Sequence, residues 1–447
     1  MSKQPYNPPT IKRNVTGVMN KFGRQSRVCE RVAGVPVNEL LESHGSPLFA
    51  YDEGMLRDKY REAQRAFSKR YPKVQFAWSY KTNYLNAICR VFHSEGSIAE
   101  VVSDFEYEKA RALGIPGDQI IINGPDKPFA LLKQAVAEGA RIHIDNLDEL
   151  LTLEQLTQDN KETVKVGIRI NMDTGMQPAW TKFGFNLENG EAARAIKRIA
   201  SSRRLKLVGL HTHVGTFVLE PAYYAVAVQK LVALATEAES RGEMALEYLD
   251  LGGGFASCNT LHYQYLPGEQ VVPTFDDYAE SICTALHTHL PTGMQPMLFL
   301  ETGRALVDEA GYLLSSVIAT KQKPDGGRAI VIDAGVNLLY TVAWYRLSIL
   351  PAQDFADGLS DTTVYGPLCM NIDVVRDHPP LPSMHLGDKV VIHPVGAYNV
   401  TQAMQFITYR PAIVLIGEAG QVDVIRDREN LDYVQELERV PKRLSQC

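Results

Sequence analysis

The sequence predicts an α/β domain followed by a mostly β domain, and two observations predict it. Between residues 76 and 300, short apolar runs alternate with longer amphipathic stretches. After about residue 310, strand-like runs follow one another with turn residues between them and few helices. Repeated β-then-α alternation means parallel strands joined by crossovers. Eight such units over about 250 residues is the usual size of a (β/α)8 barrel. A doubly wound open sheet fits the same pattern.

Taken in order, residues 1–34 are polar, contain prolines and read as a loose arm. The stretch from Val35 to His44 suggests a short helix. The strand candidates are 76–80, 98–102, 119–123, 141–145, 164–170, 205–213, 246–251 and 296–300. Helix-like stretches between them are 55–70, 106–113, 128–138, 147–157, 190–201 and 221–241. The barrel is therefore expected over 35–310. A β domain is expected over 311–447, with strands near 312–319, 329–333, 362–366, 388–393, 412–416 and 421–425 and a final helix over 430–440.

Composition excludes several classes of function. At 447 residues the chain is too long for one core. The net charge of -6, without a long basic run, argues against nucleic acid or an anionic membrane as partner. No apolar stretch is long enough to span a bilayer. The first residues lack the apolar core of a secretion signal. The six cysteines are scattered without a C-x-x-C pair, as in a reducing compartment, so a cytoplasmic protein is expected.

The chemistry falls at the ends of the strands, where barrel active sites lie. Phe76-Ala-Trp-Ser-Tyr is an apolar run that ends in Lys81. Desolvation disfavours a charged ammonium, so a lysine held there should lose its proton more easily. A neutral amine is a nucleophile for aldehydes, which is how Schiff-base cofactors are held. Strand six ends in His211-Thr-His213 and on to Thr216, strand seven in Gly252-Gly253-Gly254, and strand eight in Glu301-Thr-Gly303-Arg304. Three glycines let backbone N–H groups approach an anion closely, and barrel phosphate sites often use the loops after strands seven and eight. Arg304 suits a phosphate or a carboxylate. His211 and His213, two apart, should leave one strand face and also admit a metal reading. No further set of His or Asp ligands stands at other strand ends, so no metal is expected.

Together these residues resemble the fold-type III pyridoxal-phosphate decarboxylases, the diaminopimelate, ornithine and arginine decarboxylase group. The resemblance covers roughly residues 35–440. Its motifs occur in order as Ser79-Tyr-Lys-Thr-Asn83, His213-Val-Gly-Thr216, Gly252–Gly254, Glu301-Thr-Gly-Arg304, Gly366-Pro-Leu-Cys369 with Asp373, and Gly396-Ala-Tyr398. It implies pyridoxal 5'-phosphate as cofactor and Lys81 as the Schiff-base lysine. It implies His213 against the ring face and Glu301 at the ring nitrogen. Thr216, Gly253, Gly254, Gly303 and Arg304 would hold the phosphate. Cys369, a candidate to position or protonate Cα, and Tyr398 would arrive from a partner subunit, so a homodimer is implied. The β domain would borrow a strand from residues near 30–37. An arginine opposes the ring nitrogen in barrel racemases, so Glu301 favours decarboxylation.

Departures from the family bear on the substrate. Met370 stands where diaminopimelate decarboxylases carry a glutamate and ornithine decarboxylases an aspartate for the substrate's distal amine. Thr341 stands where the diaminopimelate enzymes carry an arginine. Tyr345 matches the family tyrosine, and Arg346 reverses the charge of the ornithine enzymes' aspartate. With Arg304, Tyr345, Arg346 and Met370 on the substrate, the expectation is an amino acid with an anionic or conjugated tail, of the siderophore or antibiotic type. The alternative is diaminopimelate decarboxylation to L-lysine. A catalytically silent binding homologue is disfavoured by the presence of Lys81, Cys369 and Glu301.

Overall fold

The computed structural model describes residues 27–176 and 180–444. Residues 1–26 of the expected arm lie outside the described residues. Eight parallel strands close a barrel: Val74–Ser79, Ile98–Val101, Ile120–Ile122, Arg141–Ile144, Val164–Asn171, Leu205–His211, Tyr248–Asp250 and Met297–Leu300. Each pairs with the next, and the last closes on the first through Leu298 opposite Val74. The open-sheet alternative is therefore excluded, and each expected run forms one strand. Two crossover helices that the pattern did not mark, Asn86–Ser94 and Phe275–His289, complete the outer ring. A capping box between Thr274 and Asp277 opens the second of these.

Strand alternation decides what fills the barrel. Outward residues pack against the helices in the main core. Inward residues Ala77, Ile98, Ile121, Val208, Tyr248 and Phe299 form a separate apolar layer. Two glycines make room for Tyr248 there. A Cβ at Gly209 would lie 2.0 Å from its ring, and one at Gly167 would lie 2.4 Å from its hydroxyl.

The second domain is one ten-stranded sheet. Its long central strand, Gly311–Gln322, pairs antiparallel with Arg328–Ile332, Lys389–His393 and Leu48–Asp52. Ile413–Ile416 runs parallel to Leu48–Asp52 on its other side. The strand taken from before the barrel is thus Leu48–Asp52, not residues near 30–37. Arg31–Val32 and Val35–Pro36 form only a two-residue hairpin around an Ala33–Gly34 turn with positive φ at both positions. Leu48-Phe-Ala-Tyr is buried at every residue, as a central strand must be. Helix Val37–His44 leads into this strand, so the chain enters the barrel after Asp52 and not at residue 35. The strands Ser348–Pro351, Val374–Arg376 and Pro380–Leu381 were not marked by the sequence pattern; they are short. The expected terminal helix is reduced to Leu431–Gln435. Among the described residues no helix is long and apolar enough to cross a membrane.

Candidate active site

One alternation step beyond the apolar layer, the inner face turns polar. Ala77 is followed by Ser79, Ile98 by Glu100, Ile121 by Asn123, Tyr248 by Asp250 and Phe299 by Glu301. These side chains are buried at the C-terminal mouth, and all but Asp250 are linked to one another by hydrogen bonds. Ser79 Oγ donates to Glu100 Oε2 at 2.5 Å. Asn123 Nδ2 donates to Glu100 Oε1 at 3.0 Å and to Glu301 Oε1 at 2.5 Å. His143 Nδ1 meets Asn123 Oδ1 at 2.8 Å, and its Nε2 meets the Tyr248 hydroxyl at 3.1 Å. The His143 ring stacks on His211 with centroids 4.6 Å apart. Burial lowers both histidines well below the usual range, helped by the repulsion that a second protonated ring would bring to His143 and by Arg169 beside His211. Both are neutral near pH 7.

Glu100, Asn123, His143 and Asp250 were not singled out from the sequence. Their signal was available: each is a polar residue interrupting, or standing directly after, an apolar strand run. The expected pairing of His211 with His213 on one strand face does not occur. The strand ends at His211, which points into the barrel, whereas His213 lies beyond it with its ring 5.3 Å from Trp180. His143, His211 and Glu301 do bring ligand-type atoms within 4.8 Å of one another. Asn123 and Tyr248 already engage both His143 nitrogens and one Glu301 oxygen, so two of the three are committed to hydrogen bonds, while neither His211 nitrogen has a hydrogen-bond partner among the described residues.

Lys81 follows Ser79 in a single 3-10 turn, Tyr80–Thr82, that swings its amine back over the mouth. Its Nζ sits 2.7 Å from Glu100 Oε2. The expectation of an easily deprotonated lysine is overturned here. Burial alone would lower the lysine, but the Glu100 carboxylate, and Glu301 behind it, outweigh burial and raise it. Desolvation does not decide the charge of this lysine, because Glu100 stands on the neighbouring strand in register with Ser79.

Beside Lys81 lies a small backbone cradle lined by Gly253, Gly254, Gly303, Thr216 and Arg304. A Cβ at Gly253 would fall 2.4 Å from the Glu301 carbonyl, and one at Gly254 would fall 2.3 Å from the Gly215 carbonyl. Only glycine fits, which leaves backbone N–H groups free to face an anion. Arg304 is buried and donates to Thr216 Oγ1 at 3.0 Å. Four rings surround its guanidinium, with Tyr398 at 4.8 Å and Phe217, Tyr345 and Trp344 between 5.5 and 5.8 Å. Tyr398 reaches this cradle from the same chain, not from a partner. Its backbone N–H donates to the Thr82 carbonyl at 2.9 Å, which ties the β domain's Gly396–Tyr398 turn to the lysine loop.

These features open into one cavity of about 880 Å³. Its floor carries Lys81, Glu100, Glu301 and His213, and its far wall is apolar, with Phe217, Leu261, Trp344 and Tyr345. The Tyr345 hydroxyl is buried without a hydrogen-bond partner and faces this wall. Leu261 and His262 bring the 256–274 insert over the cavity through a bridge from Leu261 to Tyr345. Arg346, expected on the substrate, is exposed and does not line the cavity; it bonds the Gln264 carbonyl instead. It follows Tyr345 directly, and extended backbone turns neighbours to opposite sides. Met370, also expected on the substrate, and Cys369 lie on an outer loop away from this chain's own cavity. Asp373 fastens that loop by accepting from the Val336 and Leu368 N–H groups at 2.8 and 2.7 Å. Cys369 is exposed at its tip.

The family profile described as "Pyridoxal-dependent decarboxylase, pyridoxal binding domain" matches residues 57–308. Over 427 residues the chain is 31% identical to the diaminopimelate decarboxylase of Methanothermobacter thermautotrophicus, covering 92% of this chain and 96% of that one. The chain belongs to the pyridoxal-dependent decarboxylases. It is 28% identical to the Bacillus subtilis diaminopimelate decarboxylase, with 91% and 94% of the two chains covered. The crystal structure of the M. jannaschii diaminopimelate decarboxylase superposes with a TM-score of 0.85 at 27% identity, over 94% of this chain and 99% of that one. As a fold-type III pyridoxal-phosphate decarboxylase of the diaminopimelate and ornithine group, the protein is an amino acid decarboxylase. The residues present fit the cofactor: an amine at the mouth, a carboxylate beneath it, and an anion cradle that any Cβ would fill.

Proposed function

We propose that this decarboxylase acts on diaminopimelate and releases CO2 to leave lysine. The observation that carries this is the end-to-end likeness to enzymes of that name, with the cradle, the lysine and the glutamate all in one cavity. In this reading Lys81 would hold the cofactor covalently, His213 would face its ring and Glu301 would keep a proton at the ring nitrogen. Gly253, Gly254, Gly303, Thr216, Arg304 and Tyr398 would hold the phosphate. The bound cofactor supplies the electron sink for the pair left behind when CO2 departs. Glu100 holds the free Lys81 amine protonated, which would keep it from competing with a substrate amine. Neutral His213 adds no charge at the ring face.

A second reading is favoured by the far wall. Among the described residues the only carboxylates lining the cavity are Glu100 and Glu301, and both are engaged at the floor. A distal ammonium left without an acid would be costly. An uncharged or conjugated tail, as in siderophore or antibiotic precursors, would suit Trp344, Tyr345 and Leu261 better. Arg346, exposed and outside the cavity, offers no charge to an anionic tail.

The outer loop supports a homodimer. Cys369 and the 70% exposed Ile372 are presented to solvent by a loop that Asp373 holds rigid, a form suited to entering a neighbour's cavity. Mixing Lys81→Ala with Cys369→Ala chains should then restore roughly a quarter of wild-type activity, because hybrid dimers keep one intact site.

The test of substrate is CO2 release by the pyridoxal-phosphate-loaded protein. The panel holds diaminopimelate, lysine, ornithine and arginine beside amino acids with citryl or amide-linked tails. Highest kcat/KM on diaminopimelate supports the proposal. Turnover confined to conjugated tails overturns it in favour of the second reading.

A further inference from the structure

Three carboxyl groups meet beneath the cavity floor, and the family motifs account for only Glu301. Glu100 and Asp250 are completely buried, and Glu301 nearly so. Three buried negative charges in one place cannot all persist, since like charges disfavour one another's ionisation and desolvation disfavours each. Lys81 brings one compensating charge, at Glu100, and the buried Arg169 brings a second that it shares with a fourth carboxylate, Asp145. A proton must therefore reside on one of the three, and the hydrogen bonds show which.

Asn123 is the hub. Only its amide nitrogen can donate to two carboxylates, so Nδ2 faces Glu100 and Glu301, and Oδ1 faces His143. His143 must then carry its proton on Nδ1, and its bare Nε2 accepts from the Tyr248 hydroxyl. The direction of donation runs one way, from Tyr248 through His143 and Asn123 to the two glutamates. Each glutamate thereby receives an N–H, a bond that favours the charged carboxylate. Glu100 receives the Ser79 hydroxyl and the Lys81 ammonium as well. Asp250 receives only the Gly252 N–H, at 2.8 Å on Oδ1, and its Oδ2 is buried without a donor.

We propose that Asn123 is a positioning residue that fixes the proton inventory of the site: Glu100 and Glu301 are held as anions, and Asp250 is kept as the neutral acid that donates to Glu301. The electrostatics agree, since burial and then the Glu301 charge raise Asp250 well above the usual carboxylate range. The consequence is functional. One amide thus governs both Glu100 at the lysine and Glu301, and a cofactor ring nitrogen placed at Glu301 would meet a charged carboxylate rather than one that shares its proton. This rests on Glu301 facing the ring nitrogen and does not depend on which amino acid is the substrate.

The test needs no substrate. A protonated-carboxyl C=O band should appear in the infrared spectrum of the wild-type protein and vanish in Asp250→Asn. It is read at pH 8.5, above Glu106 at about 7 and Asp308 at about 6. Asp250→Asn keeps a donor toward Glu301, so pyridoxal-phosphate affinity should stay within threefold of wild type and the visible absorption band should be unmoved. Asn123→Leu removes both donors. It should weaken cofactor affinity tenfold or more and shift absorption from the visible to the near-ultraviolet band, whereas Asn123→His, which restores one donor, should recover part of the loss. Thermal unfolding of each apo-variant separates these effects from misfolding. Two results overturn the proposal: an infrared band that persists in Asp250→Asn, or a loss of cofactor affinity in Asp250→Asn as large as that in Asn123→Leu. A failed substrate assignment would leave all of these readouts intact.

Discussion

The two ends of the cavity are built differently. At the floor, Lys81, Glu100, Asn123 and Glu301 come from barrel strands or the first residue or two beyond them, and hydrogen bonds of 2.5 to 3.0 Å fix them. At the far wall, Leu261, Trp344 and Tyr345 come from an insert and from the second domain, and the Tyr345 hydroxyl has no hydrogen-bond partner. The floor leaves little freedom, because a closed barrel sets each strand end by register. The wall is loop structure, which can change without disturbing the barrel. Cofactor chemistry is thus tied to the fold, and substrate choice is tied to its attachments.

The sharpest break of this contrast is at the floor. Lys81→Ala should lower kcat by roughly 10³-fold or more while leaving the fold intact, measured by CO2 release and circular dichroism. A smaller loss would mean that the floor does not carry the chemistry. Gly254→Ala places a Cβ 2.3 Å from the Gly215 carbonyl at a φ of +103°. Strain of about 1–3 kcal/mol should weaken cofactor binding by roughly tenfold to a hundredfold, read by equilibrium titration.

The floor also sets a pH dependence. Glu100 and Glu301 keep Lys81 protonated above the ordinary lysine range, so the free amine is scarce at neutral pH and grows as pH rises. Loading of the apo-protein should therefore accelerate by roughly tenfold per pH unit between pH 7 and 9, followed by stopped-flow absorbance. A flat profile would show that Lys81 passes its proton to Glu100 before it reacts. The smallest effect belongs outside both ends. Arg346→Ala should change kcat/KM by no more than about twofold for any tail charge, as for an exposed residue away from the cavity. A larger, charge-dependent change would bring Arg346 back to the substrate.

The same contrast explains what was legible in the sequence. All eight barrel strands could be read because each is an apolar run bounded by turn residues. That Lys81, His213, Gly253, Gly254 and Arg304 gather at one cavity could be read because they stand in short motifs just past those runs. Glu100 and Asp250 were passed over as incidental polar residues within strands, although their spacing of two from Ile98 and Tyr248 puts them on the inner face. Missing Glu100 also reversed the sign expected for Lys81. Arg346 was misplaced for the opposite reason: its charge was weighed and its alternation with Tyr345 was not. Leu48–Asp52 was overlooked as a strand of the second sheet because its partners, Gly311–Gln322 and Ile413–Ile416, lie more than 250 residues away in the chain.

The most direct test of the account is to load the protein with pyridoxal phosphate, reduce it with borohydride and map the modified peptide by mass. The account predicts a single pyridoxyl group on Lys81. A pyridoxyl group on another lysine, or none at all, would contradict it.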